Sequence, residues 1–257
     1  MKGFRLAIGF LTILPARVGA TRPGDLGRAA GWFPLVGLLL GIVLSAAAWL
    51  LGRLFPPLLA GGLVVALWAA LTGGLHLDGL ADCGDGLLAA AAPERRLEIM
   101  RDSRLGAFGG LTLALFLILK VLAAGALPAL VLLAWQPNLA HPAAWLPFGP
   151  LVVAAVCARW LILPLGLQKG ARPGGLGADF ALGLSPRVLL AAGAVMVVVT
   201  ALGGLRALLA VAAAHGVAWL VLQVARRRLG GVTGDILGLT IELSELTVLL
   251  VYAARPI

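Results

Sequence analysis

The sequence has few charged residues and few cysteines. Only 12% of its 257 residues are charged, whereas 61% are hydrophobic; soluble domains average about 25% charged residues. A soluble domain of this length could not bury so much apolar surface, so the composition argues against a soluble fold. The two cysteines, Cys83 and Cys157, lie in dissimilar surroundings without metal-ligand spacing. They support neither a disulfide framework nor a thiolate zinc site.

The apolar residues form stretches close to or above the roughly 20 residues that cross a bilayer as a helix. They predict an all-α fold, a polytopic integral membrane helical bundle with about seven transmembrane helices, in one membrane-embedded domain over residues 1–257. The predicted spans are 30–52, 57–75, 107–133, 145–167, 188–203, 205–225 and 236–253. The basic and apolar start could be a secretory signal, but its apolar run is short and contains Pro15, so we interpret it as an interfacial or shallowly inserted helix.

Lys and Arg are concentrated in alternate connections between the predicted spans. They precede the first span (Lys2, Arg5, Arg17, Arg22, Arg28) and lie between the second and third (Arg95, Arg96, Arg101, Arg104), the fourth and fifth (Lys169, Arg172, Arg187) and the sixth and seventh (Arg226, Arg227, Arg228). The positive-inside rule places these connections in the cytoplasm and predicts a cytoplasmic (inner) membrane protein in contact with lipid. Because the net charge of +9 is spread over short connections, nucleic acid is not an expected partner. The oligomeric state stays open.

The 11 acidic residues fall mainly into two clusters. The first begins in GGLHLDGLADCGDGL, where Asp78, Asp82 and Asp85 are spaced i, i+4 and i+7 and so share one face of a helix. Adjacent carboxylates repel one another and need a compensating cation. Mg²⁺ or Mn²⁺ suits oxygen ligands and commonly brings substrate phosphates with it. The alternative is a solvated acidic helix end.

The next stretch, ERRLEIMRDSRLGAFGG, interleaves acids with arginines. Glu94, Arg95 and Arg96 could equally form surface ion pairs. Its second half, Arg101, Asp102, Ser103 and Arg104, adjoins a predicted span and a glycine run, where guanidinium groups could hold phosphate oxygens.

The second acidic cluster lies in RRRLGGVTGDILGLTIELSEL. Its glycine-rich turn resembles a phosphate-binding loop only loosely, because no Walker lysine follows. Glu242 and Glu245 fall inside a predicted span, where acids are expensive and face a cavity or a partner. Lys120 and Arg159 also fall inside spans and could be those partners. For Arg159 a structural ion pair is the preferred interpretation.

These residues allow an assignment of roles by charge placement. We assign metal binding to Asp78, Asp82, Asp85, Asp235, Glu242 and Glu245, phosphate or substrate binding to Arg101, Ser103, Arg104, Lys120, Gly231 and Thr233, and catalysis to His76, Asp82 and Asp102. Together they predict an Mg²⁺-dependent transfer that involves a diphosphate.

Six motifs, in order along nearly the whole chain, resemble the cobalamin synthase (adenosylcobinamide-GDP ribazoletransferase) family. They are FLTILP, WFPLVGLLLG, GGLHLDGLADCGDGL, RRLEIMRDSRLGAFGG, ARPGGLGADF and GGVTGDILGLTIELSEL. The resemblance implies a membrane enzyme of vitamin B12 synthesis that requires Mg²⁺. Such an enzyme joins adenosylcobinamide-GDP to α-ribazole or α-ribazole 5′-phosphate and releases GMP.

Other functions remain possible from the residues alone. DGLAD followed by Asp85 is also similar to CDP-alcohol phosphotransferases, and spaced aspartates at a helix end also occur in membrane prenyltransferases. Neither accounts for RDSRLGAFGG and ARPGGLGADF together. A transporter could use the intramembrane acids and Lys120, but it would spread polar groups across the bilayer, whereas most acids here crowd one face.

Overall fold

The computed structural model describes residues 2–16, 19–127, 148–172 and 174–254. Within these ranges every regular element is a helix, and the only strand-like feature is one isolated backbone bridge between Gly170 and Val232. The all-α prediction is confirmed. The helices are α1 (Lys2–Leu11), α2 (Asp25–Ala29), α3 (Phe33–Leu54), α4 (Pro57–Thr72), α5 (Leu75–Leu88), α6 (Pro93–Ile99), α7 (Ala107–Gly125), α8 (Phe148–Gly166), α9 (Gly175–Gly183), α10 (Pro186–Leu202), α11 (Gly204–Leu229) and α12 (Gly234–Ala253), with a 3-10 turn at Ala30–Trp32 between α2 and α3.

Among the described residues, five helical segments are long and apolar enough to cross a membrane alone: Asp25–Leu54, Ala107–Gly125, Gly149–Gly166, Gly204–Leu229 and Gly234–Ala253. Two further helix pairs pass only as bent pairs. They are α4 with α5 and the 177–183 part of α9 with α10, each bent by 94°. The multi-pass prediction is confirmed with five to seven spans. Residues 128–133 and 145–147, at the edges of two predicted spans, lie outside the described residues.

The bend between α4 and α5 follows from two glycines. Gly73 and Gly74 have φ angles of +63° and +70°, a left-handed conformation that side chains with a Cβ rarely adopt. Gly73 ends α4, and Gly74 begins α5 in a new direction. The second predicted span, 57–75, therefore corresponds to the shorter α4, and the acidic motif forms a separate helix.

The N-terminal segment forms α1, which packs on the start of α3. Phe10 stacks on Phe33 with ring centroids 5.7 Å apart, and Phe4 meets Trp32 edge-on at 5.5 Å. Ten residues of helix extend about 15 Å, roughly half of the hydrocarbon thickness. The interfacial placement of α1 stays a prediction.

Helix α8 lies at the centre of the bundle. The rest of the protein buries 83% of its membrane-spanning segment, whereas it buries only 28% of that of α7. Helix α3 crosses α8 closely, because a Cβ on Gly37 would lie 2.5 Å from the Ala155 carbonyl oxygen, and one on Gly41 equally close to Val152 Cα. Small residues at such crossings allow the backbone contact that drives helix association in lipid. Helix α12 packs on α8, α11 and α5, so it connects the centre of the bundle to the acidic helix.

Four buried charged side chains connect α7, α8 and α12. Lys120 Nζ lies 2.6 Å from both Glu242 Oε2 and Glu245 Oε2, and Arg159 Nη1 pairs with Glu245 Oε1. All four side chains are at most 4% exposed. This confirms the prediction that the intramembrane cations find partners in these two glutamates. We call the four residues the ion-pair cluster.

We expect Lys120→Met to lower the free energy of unfolding by roughly 3–5 kcal/mol, because the substitution leaves a buried carboxylate uncompensated. Adding Glu242→Gln restores charge balance and should recover part of the loss. The measurement is the temperature at which half of the detergent-solubilised protein loses its monodisperse elution peak. Lys169→Met, at an exposed lysine, is the matched control. Equal melting of Lys120→Met and wild type would contradict a stabilising role of the cluster.

Candidate active site

Helix α5 presents its three aspartates on one face, as predicted. Asp78 is exposed, and Asp82 and Asp85 are partly exposed. The other sides of α5 are buried against two helices. A Cβ on Gly84 would lie 2.6 Å from Thr112 Oγ1 of α7, and one on Gly79 would lie 3.1 Å from Asp235 Cα of α12. The glycines of the motif therefore bring α5 into backbone contact with both neighbours and leave the acidic face open.

The two acidic clusters of the sequence meet where α5 contacts the first turn of α12. Asp78, Asp85 and Asp235 all act electrostatically on Asp82. Asp235 is held by Thr233, whose hydroxyl donates to Asp235 Oδ2 at 3.2 Å and accepts from the Ile236 N–H at the start of α12. Thr233 is thus a helix N-cap. Its role in substrate binding stays a prediction.

Asp85 has a structural partner. Its Oδ2 accepts from the Gly106 N–H and its Oδ1 from the Gly109 N–H, both at 2.8 Å. These groups belong to the first turn of α7, so Asp85 caps that helix from α5. With one backbone donor on each oxygen, Asp85 is less available than Asp82 for a metal ion.

The RDSR segment lies between α6 and α7. Arg104 donates to both carboxylate oxygens of Asp102, with Nη2 to Oδ2 at 2.5 Å and Nε to Oδ1 at 2.9 Å. These hydrogen bonds lower the pKa of Asp102 to about 2. So weak a base is poorly suited to remove a proton near neutral pH. Arg101 and Ser103 are exposed beside this pair.

A cavity of about 330 Å³ lies beside this segment. It is lined by Asp85, Arg95, Glu98, Ile99, Asp102, Arg104, Leu105 and Gly106. Arg95 and Glu98 form an exposed ion pair at 2.7 Å, so the surface ion-pair interpretation is correct for Arg95. Arg96 instead turns inward and donates to the carbonyls of Ala91, Gly86 and Leu87.

His76 lies on the side of α5 away from the aspartates. It is 3% exposed, and neither ring nitrogen has a hydrogen-bond partner among the described residues. Arg159 and Lys120 of the ion-pair cluster act electrostatically on it. The predicted catalytic role of His76 therefore has no support from its placement.

Glu242, Glu245 and Lys120 are neutralised inside the bundle together with Arg159. Each glutamate is in direct contact with at least one cation, and both are almost fully buried. We therefore leave the two glutamates out of the candidate metal set and Lys120 out of the phosphate-binding set.

The glycine-rich turn before α12 packs against the 168–172 loop. A Cβ on Gly231 would clash with the Lys169 carbonyl, and Val232 exchanges backbone hydrogen bonds with Lys169 and Ala171. Gly231 is therefore needed for close backbone packing. The contact brings in Arg172, whose Nη2 lies 4.0 Å from Asp235 Oδ2. From the sequence, Arg172 was assigned only to a basic connection between spans and not to the site, although it lies in the ARPGGLGADF motif.

The oxygen donors at this end of α5 fit Mg²⁺. Within the residues that the structure describes, no group of three His, Cys, Asp or Glu side chains already converges on a metal position. Mg²⁺ does not require such a cage, since it keeps several waters and binds through one or two carboxylates together with substrate phosphates. Asp78, Asp82 and Asp235 offer partly exposed carboxylates for this.

Comparison with known proteins decides the family. The family model for cobalamin-5-phosphate synthase matches residues 3–253. The chain belongs to this family. The predicted enzyme class, a transferase of cobalamin synthesis, is thereby confirmed, and the resemblance seen in the six motifs is correct.

Curated relatives agree. The chain is similar to three proteins named adenosylcobinamide-GDP ribazoletransferase. The protein from Deinococcus radiodurans is 38% identical, and the alignment covers 96% of this chain and 84% of the relative. The proteins from Pseudomonas fluorescens and Stutzerimonas stutzeri are 40% and 42% identical, with 97% and 95% of this chain and 98% and 94% of the relative covered. No solved structure matches the chain. The similarity extends over nearly the full length, so it includes both acidic clusters and the 168–172 loop.

Because Asp85 and Asp82 have different surroundings, we expect their replacement by alanine to affect stability differently. Asp85→Ala should lower the free energy of unfolding by about 1–2 kcal/mol, because two backbone N–H groups of α7 lose their acceptor. Asp82→Ala should leave stability unchanged or raise it, because Asp82 accepts no such bond and is repelled by its neighbours. Thermal unfolding of both variants in the same detergent, without added metal, measures the difference. Destabilisation by Asp82→Ala alone would reverse this assignment.

Proposed function

We propose that the protein joins adenosylcobinamide-GDP to α-ribazole, or to α-ribazole 5′-phosphate, in an Mg²⁺-dependent reaction that releases GMP. The observation that carries this proposal is the meeting of Asp78, Asp82 and Asp235 beside Arg172 in a chain of this family. Carboxylates for a divalent cation next to guanidinium groups are what transfer from a diphosphate needs.

In the proposed reaction a ribose hydroxyl of the acceptor attacks the phosphorus that bears the cobinamide. The new oxygen–phosphorus bond forms as the bond from this phosphorus to the bridging oxygen breaks, and GMP leaves with the electron pair. Asp78 and Asp235 would hold Mg²⁺, which when bound neutralises charge on the phosphoryl oxygens. Asp82, at the centre of the carboxylates, is our candidate to accept the hydroxyl proton. Arg101, which is exposed beside the acidic face, would contact the phosphates.

The proposal predicts GMP release from adenosylcobinamide-GDP and α-ribazole, measured by chromatography with the purified protein in proteoliposomes. Asp82→Asn should lower kcat by about 100-fold or more, the size of a general-base contribution, without recovery at high Mg²⁺. Asp78→Asn should instead raise the Mg²⁺ concentration for half-maximal rate. Absence of GMP release from wild type would refute the reaction. Full Mg²⁺-dependent turnover by well-folded Asp82→Asn would remove Asp82 from it.

We also propose that the site faces the cytoplasm from the inner membrane. The connections rich in Lys and Arg gather at the end of the bundle that carries the site: Arg228 Nη1 donates to the Leu87 carbonyl at 2.7 Å, and Arg226 Nη2 to Gln168 Oε1 at 2.5 Å. By the positive-inside rule, this concentration of basic residues supports a cytoplasmic location for that end.

A cysteine introduced at Lys169 tests the orientation, since Lys169 is exposed in one of these connections. An impermeant maleimide should label it in inside-out vesicles and not in intact cells. The native Cys83 and Cys157 are both buried, so the wild-type protein serves as the unlabelled control. Labelling in intact cells would place the site on the opposite face.

A further inference from the structure

The ARPGGLGADF motif contributes Arg172 to the surroundings of the acidic face. Its first residues form a loop fixed to the turn before α12: the Ala171 N–H donates to the Val232 carbonyl at 3.0 Å, and the Val232 N–H donates to the Lys169 carbonyl at 2.9 Å. These bonds hold the backbone next to Arg172 at the point where α12 begins.

The Arg172 side chain crosses from this loop to α6. Its Nη2 donates to the Leu97 carbonyl at 2.9 Å and lies 4.0 Å from Asp235 Oδ2. Its Nε is buried and has no hydrogen-bond partner among the described residues. A guanidinium group carries five N–H donors in a planar fork, so donors remain for a further acceptor.

The charges around Arg172 are of both signs. Burial lowers the pKa of Arg172, and Arg101 acts in the same direction, whereas Asp235 and Asp82 oppose the shift. Asp235 at 4.0 Å is an ion-pair contact rather than a tight hydrogen bond. The guanidinium group thus lies beside the carboxylates of the proposed metal site without being neutralised by a close, bidentate partner.

Arg104 differs in this respect. Both oxygens of Asp102 already engage its guanidinium group, and its side chain is 86% exposed. A phosphate would have to displace Asp102 before it could use the same donors. Arg172 is therefore better anchored than Arg104 and, within the described part of the chain, still has N–H donors without an acceptor.

We propose that Arg172 binds the diphosphate of the nucleotide-linked substrate and positions it against Asp82 and Asp235. This inference rests on the proposed function and adds a specific phosphate-binding residue to it. The Leu97 carbonyl accepts from one N–H of the guanidinium group. The remaining donors could form a bidentate contact with a phosphate, for which arginine is better suited than lysine.

Removing the charge should affect substrate and metal in opposite directions. Arg172→Gln should raise KM for adenosylcobinamide-GDP by about ten- to a hundredfold, the effect of losing charge-assisted hydrogen bonds. It should also lower the Mg²⁺ concentration for half-maximal rate, because a positive charge leaves the vicinity of Asp82 and Asp235. KM for α-ribazole should not change. Lys169→Gln, an equal loss of charge from the same loop, is the matched control.

A purely structural role for Arg172 predicts a different pattern, because a disordered loop would weaken substrate and metal binding together. Arg172→Lys keeps the positive charge and provides a second test if the glutamine variant does not fold. It should still raise KM for the corrinoid substrate, since an ammonium group cannot reproduce the fork, while its Mg²⁺ dependence stays at the wild-type value. A rise in the Mg²⁺ requirement of Arg172→Gln, or equal KM for both variants and wild type, would overturn the inference.

Direct binding separates this inference from the proposed reaction. The corrinoid absorbs visible light, so its co-sedimentation with proteoliposomes can be measured in EDTA, without turnover. Wild type and Lys169→Gln should bind adenosylcobinamide-GDP equally, and both Arg172 variants more weakly. Equal binding by all four proteins would refute the role of Arg172. Absence of GMP release from wild type that nevertheless shows this binding difference would refute the reaction alone.

Discussion

The balance of charge in the ion-pair cluster is the constraint on which the arrangement of this bundle depends. Two cations from α7 and α8 meet two glutamates from α12 where the side chains are almost fully buried. An uncompensated ion at such depth is costly, so the three helices are stable together only in the register that pairs these four groups. Lys120 Nζ also lies 4.4 Å from the ring centroid of Trp68 in α4. This cation–π contact connects α4 to the same four charged residues.

The position of the acidic helix follows from that register. Helix α5 packs between α7 and α12 through glycines, so its placement depends on how those two helices are fixed relative to each other. Asp85 adds a second link, because it caps the first turn of α7 from α5. The interior cluster and the inter-helix cap thus both act on α7: the cluster fixes it to α8 and α12, and the cap fixes it to α5. A loss of either should move Asp78 and Asp82 relative to Asp235.

Much of this arrangement could be predicted from the sequence. Hydropathy located the spans because a bilayer demands long apolar runs, and i, i+4, i+7 spacing placed three aspartates on one face because α5 is a regular helix. The pairing of Lys120 and Arg159 with Glu242 and Glu245 followed from the cost of lone charges in lipid. The predicted 57–75 span was too simple, since two adjacent left-handed glycines turn the chain by 94°.

Residue type could not separate the carboxylates of the site from those that serve structure. Asp82 and Asp85 lie on the same face three residues apart, and only the position of the α7 first turn shows that Asp85 already accepts two backbone donors. The same limit applied to Asp102, whose arginine partner is its neighbour but one, and to Arg172, which reaches the site through contacts between segments distant in sequence. Spacing describes one helix, whereas these distinctions arise where helices meet.

The difference between the two groups of charges explains why chemistry belongs at the end of the bundle. In the ion-pair cluster positive and negative charges are equal in number, so nothing further is needed there. At the acidic face Asp78, Asp82 and Asp235 outnumber the nearby Arg172, and their carboxylates are partly exposed. Such an excess of negative charge is stable only where water or a cation can reach it. A divalent cation would remove the excess, and Arg172 would remain beside it to meet the negative charge of a diphosphate. The balanced cluster can therefore lie in the interior, whereas the unbalanced set must remain accessible, as the metal-dependent transfer that we propose would require.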